Sequence, residues 1–177
     1  HRHRQPGDRC AELWNGAEQG FFTPETVDLL PQAARQVRLL PITTRSIAQY
    51  QRIRWPAGAL PREALTANGA VLLRDGAIDR DWYDQSWELV RAHQGVLRDL
   101  LERISAREDV ASARIVENMY VYAACSDVAA GERCAAAWAQ GAPFQMEVSG
   151  RKGYSLPPGI DKGTALRRAA GRYRPER

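Results

Sequence analysis

Apolar residues recur every three to four positions in some stretches of this chain and alternate or run together in others. "TPETVDLLPQAARQ" (23–36) opens with Thr23 as N-cap and Pro24 at the first helical position. Val27, Leu29, Leu30, Ala33 and Ala34 form its apolar face, and Pro31 predicts a break or kink after two turns. "VRLLPITT" runs apolar and ends in hydroxyls, as a buried parallel strand does at its carboxyl end. "RSIAQYQRI" follows as a short helix with Ile47, Tyr50 and Ile53 on one face. "EALTANGAVLLRDGAID" reads as two short hairpins around Asn-Gly and Asp-Gly turns.

Past Asp81 the pattern changes. Trp87, Val90, Val96, Leu97, Leu100, Leu101 and Ile104 mark one face of a single long helix. "ARIVENMYVYAAC" alternates as a strand, and "DVAAGERCAAAWAQ" is an alanine-rich helix that Asp127 can cap. "FQMEVSGRKGYSLPP" gives strand, glycine turn, strand. The glycine-bearing polar stretch over 1–20 predicts a loop. Three segments emerge: a first core part at 1–79, an α+β insert at 80–156 and a second core part at 157–177. No repeat or low-complexity tract interrupts them.

With 44% hydrophobic and 26% charged residues, the composition is that of a folded globular chain. No apolar run is long enough to span a membrane, and "HRHRQPGDRC" has no apolar stretch behind it, so no secretory signal is expected. Three cysteines without metal-type spacing suit a reducing cytoplasm. The net charge of +4 is modest, and the arginine-rich ends lack interleaved aromatics, so no nucleic-acid partner is expected. A start at His1 and a finish on "RYRPER" read as cut points.

Candidate chemistry sits at three junctions. "LLPITTRS" releases Thr43, Thr44, Arg45 and Ser46 where open α/β sheets place ligands, and hydroxyls with exposed amides there favour an anion such as phosphate; a routine helix cap is the alternative. Asn68-Gly69 is either a plain turn or a side chain offered to a substrate oxygen beside the Thr43 loop. "PPGIDKGTAL" puts Lys162 at a helix N-terminus, where a cation is unfavourable unless an anion lies nearby. Only two lysines stand against 23 arginines, so this one reads either as chance or as a place for a compact ammonium.

In order and spacing, these motifs ("PITTRS", "TANGAVLLRDG", an α+β insert, then "PPGIDKGTAL") resemble the haloacid dehalogenase superfamily of phosphohydrolases. Within it, they look most like the branch with a large inserted cap that includes sucrose-phosphate and mannosylphosphoglycerate phosphatases. The resemblance covers about residues 21–171. It implies an α/β fold, with an incomplete Rossmann-like parallel-sheet core and an inserted α+β cap. It further implies a magnesium-dependent phosphomonoesterase of a small phosphorylated metabolite, sugar phosphates included. By the same resemblance, Thr43 holds the transferring phosphoryl group, Lys162 neutralises nucleophile and phosphate, and Asn68 lines the mouth. Thr44 and Arg45 would contact substrate, as would Arg151, Lys152 and Tyr154 on the returning turn of the insert, unless that turn is a solvated hairpin tip.

Two family motifs are missing: the Asp-x-Asp that supplies the nucleophile and a magnesium ligand, and the Gly-Asp motif that completes the magnesium site. Asp8, Asp75, Asp79 and Asp161 do not follow apolar strands and cannot replace them. The alternatives are an incomplete piece of a phosphatase, a degenerate relative that binds without turnover, and an unrelated α/β binding protein. Enzyme status is therefore open for the 177 residues and expected for an intact protein. An exposed core strand predicts aggregation or a homodimer.

Overall fold

The computed structural model describes residues 4–139 and 143–173. A hairpin comes first, β1 (Arg9–Trp14) against β2 (Ala17–Phe22), followed by α1 (Pro24–Gln36) and α2 (Ile47–Gln51). The loop expected over 1–20 is thus a hairpin. Asn15 and Gly16 both take positive φ and close its turn, the conformation that Asn-Gly adopts readily.

Thr23 caps α1 as the sequence predicts, its hydroxyl accepting from the Thr26 amide. Pro31 does not break the helix, which continues to Gln36. None of its residues is buried, so the apolar face expected to sit in a core stays at least partly exposed, Leu29 most of all. Ser46 and Gln49 cap α2 reciprocally in a capping box.

The second sheet is an antiparallel meander of β3 (Glu63–Thr66), β4 (Val71–Arg74) and β5 (Ala77–Ile78). The parallel strand expected at "VRLLPITT" shrinks to one bridge, Ile42 beside Leu65. Two backbone hydrogen bonds flank it, Leu65 N–H to Pro41 O at 2.8 Å and Thr43 N–H to Leu65 O at 2.9 Å. Pro41 cannot donate, which limits the ladder here.

The single long helix expected past Asp81 is two: α3 (Arg80–Val90) and α4 (Gln94–Ser105), separated by a 3-10 turn at Arg91–His93. The strand expected over "ARIVENMYVYAAC" is also two, β6 (Val110–Val116) and β7 (Tyr120–Cys125), turning at Glu117 and Asn118 with positive φ. Then come α5 (Val128–Ala139), β8 (Gln145–Ser149) and β9 (Lys152–Leu156). The third sheet is antiparallel in the order β6-β7-β9-β8. Asp127 caps α5 through the Ala130 amide at 2.7 Å.

The pleat gives this sheet two unlike faces. Val121, Ala123 and Cys125 lie buried with Leu97, Leu100 and Ile104 of α4 and Ala130, Cys134 and Trp138 of α5. Gly153 belongs to this face because the Trp138 ring occupies the place its Cβ would need. The opposite face carries Arg114, Tyr120, Tyr122, Lys152 and Tyr154.

The last helix, α6 (Lys162–Arg172), is capped by Asp161, which accepts from the Thr164 amide and hydroxyl at 2.7 Å each. Its Ala165 abuts Gly69, where any Cβ would collide. Trp82 joins these parts: its indole N–H donates to Gly69 O at 2.9 Å, and the Arg168 guanidinium lies 3.7 Å above its ring.

Candidate functional site

A cavity of about 570 Å³ opens between the β1–β2 hairpin, the 43–52 segment and the exposed face of the third sheet. Thr43, Thr44 and Arg45 line it, and so do Lys152 and Tyr154 from β9. Five of the eight residues singled out in the sequence therefore converge, although they come from segments about 100 residues apart.

The segment 43–46 is held open by its own bonds. The Arg45 amide donates to Thr43 Oγ1 at 3.2 Å, and the Tyr120 hydroxyl donates to Thr44 O at 3.0 Å. The Ile47 amide donates to Glu117 Oε1 at 2.9 Å, which ties the β6–β7 turn to the start of α2. These bonds fix the loop against the sheet, so the hydroxyls of Thr43 and Thr44 stand at one wall of a shaped space.

Glu12 is buried from the hairpin side and forms ion pairs with two arginines of the same cavity, Arg45 and Arg52. The Arg52 guanidinium also lies 4.3 Å over the Trp14 ring. On the sheet wall, Arg114 sits 4.7 Å over Tyr122, whose ring centroid lies 5.5 Å from that of Tyr154. Burial, reinforced by the neighbouring Tyr154, pushes the Tyr120 and Tyr122 hydroxyls up in pKa. Both remain protonated donors at neutral pH.

The remaining three expected residues are placed elsewhere. Asn68 is buried in a left-handed conformation at φ 58°, and its backbone amide donates to Thr43 O at 2.9 Å. It is thus adjacent to the Thr43 loop, but it does not line the cavity. Its side-chain amide is buried without a hydrogen-bond partner among the described residues. Lys162 is exposed on the first turn of α6 and connects to Thr43 only through the 67–69 turn that α6 packs against. Arg151 sits at the β8–β9 turn, and its guanidinium faces Ser126 O at 3.5 Å. The period-two pleat explains the difference, because residues 152 and 154 share the cavity face.

Sequence reasoning did not single out Glu12, Trp14, Arg52, Arg114, Tyr120 or Tyr122. The Asn15-Gly16 turn was the available signal for the first two. No group of three or more His, Cys, Asp or Glu side chains suited to a metal ion occurs among the described residues. The donor set present therefore does not fit Mg²⁺, and no step is derived through it. No described helix is long and apolar enough to cross a membrane.

No family model matches the sequence, and no curated protein matches it. Solved structures do. The sucrose-phosphatase of Synechocystis sp. PCC6803, in complex with sucrose and phosphate, superimposes with a TM-score of 0.61 at 20% identity. That match covers 86% of this chain and 64% of the other, so the chain spans less than two thirds of that relative. A trehalose-6-phosphate phosphatase related protein gives a TM-score of 0.52 at 15% identity, covering 93% of this chain and 70% of the other. These neighbours are haloacid dehalogenase superfamily members with cap domains. The chain has that α/β fold.

Proposed function

We propose that this chain recognises a small phosphorylated metabolite, a sugar phosphate, with the parts that a haloacid dehalogenase-type phosphomonoesterase uses for that purpose. The observation that carries the reading is the single cavity in which Thr43, Thr44 and Arg45 meet Lys152 and Tyr154. Its chemistry suits the ligand: hydroxyls and guanidinium groups for a phosphate, and the faces and hydroxyls of Tyr122 and Tyr154 for a polyol. The fold neighbours support it, being a sucrose-phosphatase and a trehalose-6-phosphate phosphatase related protein by name. In this reading residues 80–156 form the cap that selects the metabolite, while 1–79 and 157–177 belong to the core. Three free cysteines fit a cytoplasmic setting.

Thr43 receives the phosphoryl oxygens; Lys162, outside the cavity at the start of α6, adds positive charge only from the far side of the 67–69 turn. A complete enzyme of this type works with Mg²⁺ and an aspartyl nucleophile. Asp75 and Asp79 follow β4 and β5 but do not line the cavity, and its one carboxylate, Glu12, is held by Arg45 and Arg52. With no free carboxylate beside Thr43 among the described residues, the chain alone binds without turnover. That absence also favours the second reading, a relative that binds a phosphorylated ligand and never hydrolyses it.

Calorimetric titration of the 177-residue protein with glucose 6-phosphate tests the proposal. Saturable binding is expected, weakened about tenfold by Thr43→Val and restored by Thr43→Ser, in line with one lost hydrogen bond to a charged group. No saturable binding, or binding indifferent to Thr43→Val, would overturn it. Phosphate release by the same mass-verified protein, abolished by Thr43→Val, would overturn the no-turnover clause alone.

A further inference from the structure

We infer that the metabolite carries a second anionic group besides the phosphate ester, and that Arg114 and Lys152 on the cap-side wall receive it. The inference rests on the phosphate reading of the cavity and adds the charge class of its ligand.

The cavity is lined by four cations against one carboxylate. That carboxylate, Glu12, is already committed to Arg45 and Arg52, both on the wall nearest Thr43. Arg114 and Lys152 lie on the opposite wall, and among the described residues no carboxylate pairs with either. Glu147 on β8 stands beside Tyr154 in register, on the same face, yet it does not line the cavity and pairs with neither cation.

Strand register sets these two charges in a fixed arrangement. Arg114 pairs with Tyr122, Tyr122 with Tyr154, and Lys152 precedes Tyr154 by two residues on the same face. The Arg114 guanidinium lies over the Tyr122 ring, and both Arg114 and Lys152 remain exposed to solvent at the rim. The aromatic pair therefore forms a floor with a cation at its edge on β6 and another on β9. A neutral polyol needs the floor alone. Two cations beside it with no carboxylate partner among the described residues match a ligand that brings its own negative charge.

The test titrates the 177-residue protein with glucose 6-phosphate, 6-phosphogluconate and fructose 1,6-bisphosphate at one fixed, low ionic strength. The first carries only the ester, the second adds a carboxylate, and the third adds a second phosphate. At least one doubly functional ligand is expected to bind about tenfold or more tightly than glucose 6-phosphate, and which one does so identifies the anion. That ratio should fall to about one in Arg114→Gln and Lys152→Gln, and Lys152→Arg should keep most of it. Because the readout is a ratio, general damage to the cavity does not imitate the effect. Equal affinities in the wild type, or a ratio that survives both glutamine variants, would overturn the inference and leave the phosphate reading intact. Failure of all three ligands to bind would overturn the phosphate reading and this inference with it.

Discussion

The two faces of the β6-β7-β9-β8 sheet are built from the same strands and do opposite things. One is covered by α4 and α5 and holds Val121, Ala123 and Cys125 out of water. The other bears tyrosines with a cation on either side and is left open to a cavity. Alternation along β7 and β9 alone assigns each residue to one role or the other. The covered face lets α5 seat Trp138 where a side chain at Gly153 would stand, whereas the open face has side chains exposed at its rim. One side of the sheet is thus filled by helices, while the other combines the buried Tyr120 and Tyr154, packed into the core of β3 and β4, with a cavity wall at Arg114, Tyr122 and Lys152.

The sharpest test of that division is Trp138→Ala. Loss of a buried indole from the covered face should cost about 3–5 kcal/mol, measured as the urea unfolding free energy. A loss below 1 kcal/mol would show that Trp138 does not anchor the covered face.

Next in size is Glu12→Ala, on the hairpin that closes the open face. Removing the carboxylate leaves Arg45 and Arg52 facing each other, and both are about one-third exposed, at 36% and 28%. Solvent screening therefore lowers the expected cost to about 2 kcal/mol, below that of a fully buried pair. Glucose 6-phosphate affinity should fall with it, whereas Trp138→Ala should reduce stability first. An unfolding curve identical to wild type would sever the hairpin from the cavity's architecture.

The smallest effect concerns acid. Asp109 lies at the rim of the covered face, where hydrogen bonds from Arg107, opposed by some desolvation and joined by one from Cys134, hold its carboxyl below the usual range. A depressed folded pKa gives stability that is full above the unfolded value near 3.8 and is lost as pH falls through the folded one. Between pH 6 and pH 3 the wild type should lose more of its urea midpoint than Asp109→Asn. Equal losses would remove Asp109 from the acid response.

Much of this fold is legible in the sequence because its signals are local. Thr23, Ser46, Asp127 and Asp161 announce helix starts through bonds that span three residues. The Thr43–Arg45 segment and the 67–69 turn were readable as neighbours, and the Asn68 amide to Thr43 carbonyl bond joins them. What escaped depends on partners far along the chain. Glu12 faces inward from a strand, an acid where alternation predicts an apolar residue, because Arg45 and Arg52 lie 33 and 40 residues away. Arg114 becomes a cavity residue only when β6 pairs with β7. The split between α3 and α4 was hidden because the apolar period runs on through Arg91–His93.

The clasp between α3 and α6 bears on the order in which the chain assembles. Arg168 bonds the Trp82 carbonyl across 86 residues, and Arg172 bonds Asp79 across 93. Every element from α4 to β9 lies inside the loop these contacts close. The β6–β7 hairpin needs only a three-residue turn, so it can form while that loop is still open. Closing so long a loop carries a larger entropic cost than any local pairing, and sheet formation that precedes it shortens the effective span. We therefore expect the Trp82–Arg168 stack to be among the last contacts made on refolding and among the first lost on unfolding. In stopped-flow refolding, Arg168→Ala should speed unfolding and leave the folding rate nearly unchanged; a variant that slowed folding instead would place the clasp in the nucleus.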